Sequence, residues 1–384
     1  MFLIGSFIMP KVLVVSAVNV LDDPRIFYKL VLSLKKEFSD ITFMVKSERK
    51  QEFYHHSVRI IPIPIFKSIF LRFLILHWII LFKTIRGKFE IVQFNNPELI
   101  FVAYILKKIF NKKIVFDVHE NFRDSFIDKR WLPLFVRKII KAIYPKFEDK
   151  FVKSFDLIII AETSYGKIYG KRAVEILNYP IFPQNEILPK TFNEINNFVY
   201  VGAIMIDRCI FELLETFKYI LMKKKQSKLH IAGHFASIKL EKDVIDFIKN
   251  NNLNENVIIY GRVSLFKVYE ILAKSDFGFS LLQPIGNYIE SLSTKIFDYM
   301  IWGIPFAVSN FPIYDEFVIK ANTGIVVDQN NPESIAKLVL DLISDKNRLI
   351  EMSKNGQKMV LEKWNWLSQE EKLLKCYNEL LSNK

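Results

Sequence analysis

The stretch FVYVGAIMIDR, residues 198–208, decides how the whole chain is read. An uninterrupted apolar run from Phe198 to Val201 stops at Gly202, and an amphipathic segment begins beyond Arg208. That pattern is a strand buried on both faces, a turn and a helix. A glycine at the strand end lets a ligand approach the backbone. The N–H groups at the start of the next helix are free to bind phosphate oxygens. Arg208 adds a cation suited to a diphosphate. Taken alone, the same residues also suit an ordinary surface loop.

Working outward, the alternation repeats on both sides. Before it, strands are predicted at 11–16, 41–46, 58–62, 89–94, 113–117 and 156–160, with helices at 24–37, 66–86, 97–110, 131–153 and 162–171. After it, strands are predicted at 228–232, 256–260, 276–281, 305–308 and 324–327, and from residue 331 the chain reads as helical. Strands joined through helices build parallel sheets with right-handed crossovers. The fold class is therefore α/β, with two doubly wound Rossmann-type domains. Pro180, Pro183 and Pro189, set among Asn and Gln, mark 178–196 as a linker. This places an N-terminal domain over 1–185, a C-terminal domain over 195–360 and a final helix over 361–384, expected to pack back on the first domain. Ligands of such sheets bind beyond the C-terminal strand ends, here in a cleft that the two domains face.

Composition agrees with a globular chain of that size. Of the 384 residues 51% are hydrophobic and 25% charged, enough apolar material for two cores. The two cysteines, Cys209 and Cys376, form no C-x-x-C pair, which argues against a disulfide framework or zinc site and for a reducing compartment. Residues 1–8 are apolar, but neither a basic segment before them nor a small-residue cleavage site after them marks a secretory signal, and Met1 and Met9 are both candidate starts. The most apolar internal run, 73–82, is too short to span a bilayer. Charge is uneven: residues 1–190 hold 31 Lys and Arg against 18 Asp and Glu, while residues 191–384 hold 23 of each. The N-terminal half thus carries the whole excess of +13, as an anionic partner surface would require.

Two further constellations stand at strand ends. NYIESLSTKIFDYM, residues 287–300, follows the strand at 276–281 and leads into WGIP at 302–305. Glu290 and Asp298 are carboxylates able to accept two hydrogen bonds from vicinal hydroxyls. Lys295 lies in a first helical turn, where the helix dipole disfavours a cation unless an anion shares the site. The other is DVHEN, residues 117–121, where Asp117, His119 and Glu120 crowd the end of the strand at 113–117. No second histidine stands at ligand spacing, so no metal is indicated. There is neither a G-x-G-x-x-G nor a Walker loop.

Together these segments resemble the retaining family 4 glycosyltransferases, most closely a branch of bacterial surface-polysaccharide assembly. DDPR at 22–25 is similar to that branch's opening loop, NPEL at 96–99 to its DPEL segment, DVHEN to its DVHE segment and NYP at 178–180 to its NxP segment. Tyr200-Val201-Gly202 resembles the start of the donor domain, and 287–300 with Phe311-Pro312 the NY…PtKlfEYM block. The resemblance implies a GT-B fold and a UDP- or GDP-sugar donor. It also implies transfer with retention, and neither metal nor other cofactor. Carried onto this sequence, Glu290 would hold the donor sugar and Asp298 the ribose. Arg208 would contact the diphosphate, helped by Lys295, and His119 would stand near the anomeric carbon. Gly202 and Gly233, at their strand ends, join the donor-binding set. Three departures are visible. Ala203 stands where many members have arginine. Asp298 is one methylene shorter than the usual glutamate. Ser293 replaces a proline, which should loosen its turn.

The acceptor implied is lipid-linked or a glycan. Residues 66–86 and 129–153 carry basic side chains beside bulky apolar ones, the pattern of an interfacial helix. Lys67, Arg72, Lys83 and Arg86 are expected to face outward around a buried centre. Arg137, Lys138 and Lys141 are expected on the acceptor or membrane side, on a cytoplasmic protein held peripherally at the inner face of the cell membrane. No nucleic-acid partner is expected, because most of the 35 Phe fall in apolar runs rather than beside Arg on exposed strands. Two other readings stay open: a nucleotide-sugar 2-epimerase on the same fold, and a non-catalytic membrane-binding scaffold.

Overall fold

The computed structural model describes residues 10–66, 69–125, 133–182, 189–286 and 288–382. The chain divides into two compact units. The first runs to Asn178 and resumes at Trp366, and the second spans Tyr179–Asn365.

In the first unit the strands are β1 (Val12–Ser16), β2 (Ile41–Lys46), β3 (Phe53–His55), β4 (Val58–Ile63), β5 (Ile91–Phe94), β6 (Lys113–Val118), β7 (Leu157–Ile160) and β8 (Ala173–Glu175). They form one sheet in the order β3-β4-β2-β1-β5-β6-β7-β8, parallel except for β3. Successive side chains point to opposite faces, and both faces are covered. Leu13, Val15, Phe94 and Phe116 lie in the core with the helices Ile69–Arg86 and Ile100–Lys108. Val12, Val14, Phe43 and Val115 lie in a second core with Phe27, Leu373 and Tyr377. The last two come from the helix Trp366–Ser382, so the C-terminal tail belongs to the first unit. Tyr377 is fully buried and its hydroxyl donates to Gln93 Oε1 on β5.

Two strands were invisible in the sequence. The β3–β4 hairpin turns through His56 and Ser57, both left-handed at φ 46 and 59. Such turns usually advertise themselves by Asn-Gly, and His-Ser carries no such signal. β8 is three residues long and reads as loop.

The second unit contains β9 (Asn197–Val201), β10 (Lys228–Ala232), β11 (Val257–Gly261), β12 (Phe277–Ser280), β13 (Phe306–Ser309) and β14 (Gly324–Val327). All pairs are parallel, in the order β11-β10-β9-β12-β13-β14. Counted within the unit this is 3-2-1-4-5-6, the doubly wound order whose direction reverses between its first and fourth strands. The segment read as linker behaves differently from that expectation. The division falls at Asn178, while Phe192 and Ile195 are buried in the core of the second unit. Their apolar side chains gain more from burial than from remaining in a solvated connection. Pro183 lies outside the described residues.

Candidate functional site

The reversal of strand order in the second unit lies between β9 and β12, and the loops after these two strands carry the donor-side residues picked out in the sequence. Gly202 follows β9 at φ 122, a conformation that side chains disfavour. A Cβ built there would lie 3.4 Å from Lys295 Cε, 3.6 Å from its Nζ and 3.5 Å from Arg208 Nη1. Two cations thus converge on one bare stretch of backbone. Gly233, after β10, stands directly behind: a Cβ on it would fall 1.8 Å from the Gly202 carbonyl oxygen. Gly233 therefore leaves room for the Gly202 turn.

Lys295 opens the short helix Lys295–Ile301 and is only 7% exposed. Its Nζ sits 4.3 Å from the centre of the Tyr200 ring, a cation–π contact. Burial, then repulsion from Arg208, push the amine well below the usual lysine range, and Asp298 pulls weakly the other way. Arg208 closes a 3-10 turn, Ile206–Arg208, and its buried Nε has no hydrogen-bond partner. Burial lowers its affinity for a proton, but the nearby Tyr200 and Tyr288 hydroxyls outweigh that, so the guanidinium stays charged. Burying a guanidinium and an amine side by side costs free energy that a bound anion would recover. Cys209, beside them, is inert, its thiol pushed up to about 12 by burial.

The loop after β12 is anchored at several points that the sequence did not reveal. Gln283 donates from its backbone to Asp207 O at 2.9 Å and from its side chain to Glu212 at 2.8 Å. These bonds fasten the loop to the turn that holds Arg208, and they satisfy a carboxylate that would otherwise compete for the cations. Ser280 donates to Ser293 Oγ at 2.9 Å, so the turn expected to be loosened by the missing proline is pinned by a hydroxyl pair. Glu290 is exposed. Asp298 is half-buried one helical turn from Lys295. Its charge, after burial, helps push the Tyr269 hydroxyl up to about 12. Asn287 lies outside the described residues.

In the first unit the three DVHEN candidates separate. Asp117 is fully buried and accepts from Arg25 at 2.6 Å, while Arg25 also donates to Ile176 O at 3.0 Å. The two form a buried ion pair that braces the first unit. His119, just past β6, is half-buried with Nδ1 sequestered and unpartnered, its ring edge-on to Phe122. Glu120 is exposed. The segments at 22–25, 96–99 and 178–180 are likewise cross-braces. Asp23 caps Arg25 and Ile26, Asn96 accepts from Ala17 N at 2.7 Å, and Asn178 accepts from Lys29 at 2.7 Å.

The basic ends of the helix Ile69–Arg86 do not all face outward. Arg72 is paired with Glu98 at 2.8 Å and Lys83 donates to Pro62 O at 3.3 Å, because folding places acceptors beside them. Leu76, Ile80 and Leu81 are buried as expected for the centre. Among the described residues no helix is long and apolar enough to cross a membrane. Lys67, Lys129, Arg130 and Trp131 lie outside the described residues.

With that geometry in view, residues 186–359 match the model of the family described as glycosyl transferases group 1. The matched residues fall within the second unit. Over 353 residues the chain is 23% identical to an uncharacterized glycosyltransferase of Methanocaldococcus jannaschii, covering 86% of this chain and 87% of that protein. Over 196 residues it is 26% identical to the capsular polysaccharide biosynthesis glycosyltransferase CapM of Staphylococcus aureus, covering 48% of this chain and 47% of CapM. Among solved structures it is similar to Anabaena HepE in complex with UDP and glucose, with a TM-score of 0.70 at 14% identity over 98% of this chain and 100% of that one. The fold is GT-B. Gly202, Arg208, Gly233, Glu290, Lys295 and Asp298 all fall inside the residues matched by that family model.

Proposed function

We propose that this chain transfers a sugar from a nucleoside diphosphate sugar, with retention, to a lipid-linked or polysaccharide acceptor in cell-surface polysaccharide synthesis. One observation carries the donor half: the Arg208 and Lys295 side chains converge on the bare backbone at Gly202. A diphosphate placed there would meet both. The reaction needs no metal, since the two cations take the role a divalent ion would play toward the leaving group. Glu290 holds the donor sugar, Asp298 the ribose, and His119 stabilises charge near the anomeric centre. The leaving diphosphate takes the acceptor's proton in a front-face substitution. Work in capsule synthesis by CapM, and UDP and glucose bound to HepE, support the acceptor class and a UDP-sugar donor. The enzyme works at the inner face of the cell membrane, where a lipid-linked acceptor is presented.

A panel of UDP- and GDP-sugars tests this reading. One donor should raise the melting temperature and release its nucleoside diphosphate when acceptor lipid is added, with or without a chelator. Proton NMR of the product should show the donor's anomeric configuration. An inverted product, or stabilisation by no member of the panel, refutes it.

A further inference from the structure

A nucleoside diphosphate carries its ribose directly on the phosphates. A diphosphate seated at Arg208 and Lys295 therefore sets the ribose near Asp298, one turn further along the helix Lys295–Ile301. The ribose shows two neighbouring hydroxyls. A carboxylate accepts from both when it reaches them, but it donates nothing to the lone pairs on their oxygens. Asp298 is also a methylene shorter than a glutamate. The diol leaves room for a second polar side chain beside it, one that donates.

The charge of Asp298 is felt by Lys295, Tyr299 and Tyr269. Lys295 stands over the Tyr200 ring, 4.3 Å from its centre. Tyr299 is fully buried, and its hydroxyl donates to the Phe279 carbonyl at 2.9 Å. Tyr269 is different. It is half-buried on the helix Leu265–Lys274, which Ser264 caps by accepting from Lys267 N at 3.3 Å. Phe266, three residues earlier on the same face, is 69% exposed, so the helix is uncovered on the approach to Tyr269. The Tyr269 ring packs on Trp302, with centroids 5.8 Å apart and planes at 47°. Trp302 in turn donates its backbone N–H to the Asp298 carbonyl at 3.2 Å, so the carboxylate and the indole beneath the phenol belong to one helical turn. The indole Nε1 is buried without a hydrogen-bond partner, so contact of its ring, not a polar bond, sets its place. Burial and then Asp298 push the Tyr269 hydroxyl up to about 12, and at neutral pH it keeps its proton to donate.

We infer that Tyr269 is a ribose-binding residue: its hydroxyl donates to one oxygen of the diol while Asp298 accepts from the other hydroxyl, and the two side chains share what one glutamate would do alone. The inference rests on the proposed nucleoside diphosphate donor and adds a residue to that site.

The test is titration calorimetry of the wild type and Tyr269→Phe with UDP, GDP, their 2′,3′-dideoxy forms and inorganic pyrophosphate. Tyr269→Phe keeps the ring on Trp302 and removes only the hydroxyl. It should weaken the nucleotide that the wild type prefers by about three- to tenfold, the worth of a neutral hydrogen bond. Its affinity for the dideoxy form and for pyrophosphate should match the wild type, as should its melting temperature. Adding Asp298→Glu to Tyr269→Phe should restore nucleotide affinity, because the longer carboxylate reaches both hydroxyls. If Tyr269→Phe melts early, the ratio of nucleotide to dideoxy affinity still decides, since it is read within one protein. Wild-type nucleotide affinity in Tyr269→Phe overturns the inference alone. An equal loss for nucleotide and dideoxy form also overturns it, and makes Tyr269 a packing residue. A wild type that binds neither UDP nor GDP overturns the inference and the donor reading together.

Discussion

Lys295 and Arg208 converge over the same bare backbone at Gly202. Their side chains reach within 3.6 Å and 3.5 Å of the space above it, and the Lys295 amine lies 4.3 Å from the centre of the Tyr200 ring. The ligand-free protein holds this pair at a cost, because like charges with little water around them repel. A bound anion would return that cost, which is why the proposed donor diphosphate is placed on this pair.

Removing the guanidinium should therefore discriminate among ligands. Arg208→Ala is expected to weaken UDP binding by roughly 10–100-fold, the worth of a charge-assisted hydrogen bond. Uridine affinity should stay unchanged. Titration calorimetry with both ligands checks this, and parallel losses would show that Arg208 shapes the pocket rather than contacting phosphate.

The Lys295 amine sets a pH dependence. Burial and Arg208 disfavour its charged form in the free protein, and a bound diphosphate favours it. Binding then takes up a proton between the free and bound values of the amine. UDP affinity should be full at low pH and fall by up to about tenfold per pH unit as pH rises through that window. Because its folded value lies below the unfolded one, the unfolded chain binds more protons there, and ligand-free stability should rise with pH across the interval. Lys295→Met should abolish the affinity slope, weaken UDP binding and raise the ligand-free melting temperature at neutral pH. A lowered melting temperature would mean the amine has an anionic partner in solution.

Gly233 offers a steric test. Gly233→Ala forces a methyl against the Gly202 carbonyl, and the backbone must shift to admit it. A destabilisation of about 1–3 kcal/mol is expected, together with loss of UDP affinity. Chemical denaturation and calorimetry measure the two. Full UDP affinity in a folded variant would separate the Gly202 turn from donor binding.

The two carboxylates of 287–300 should differ in their effects. Glu290→Gln is expected to cut turnover with little change in UDP affinity, and Asp298→Ala to weaken UDP as well. Steady-state kinetics beside calorimetry resolves the pair. Identical phenotypes would refute the assignment of one to the sugar and the other to the ribose.

Asp117 and His119 are two residues apart and should fail in opposite ways. Asp117→Asn leaves the buried Arg25 with an uncompensated charge, at a cost of about 3–5 kcal/mol. His119→Ala should leave the melting temperature nearly unchanged and reduce turnover. Thermal denaturation and initial rates of both variants decide it, and a stable Asp117→Asn with impaired turnover would restore Asp117 to the chemistry.

The sequence by itself determined most of the strands and the order of chemistry along the chain. Runs such as Val12–Ser16 and Phe198–Val201 are apolar at every position, which only strands buried on both faces require. Gly202, Arg208, Lys295, Glu290 and Asp298 could be picked out because ligands of parallel sheets collect at strand ends, and strand ends are legible. Tertiary structure alone decided which of those residues meet. Asp117 and Glu120 look alike in sequence, yet a partner 92 residues away makes the first an internal brace and leaves the second in solvent. Gln283 carries no signal, and its side chain ties the loop after β12 to Glu212, 71 residues away. The amphipathic stretch around 134–152 shows that a helix forms, but not which of its faces stays in water. Local periodicity is written into neighbouring residues, whereas burial and pairing depend on what the rest of the chain brings alongside, and that is settled only when the whole chain has packed.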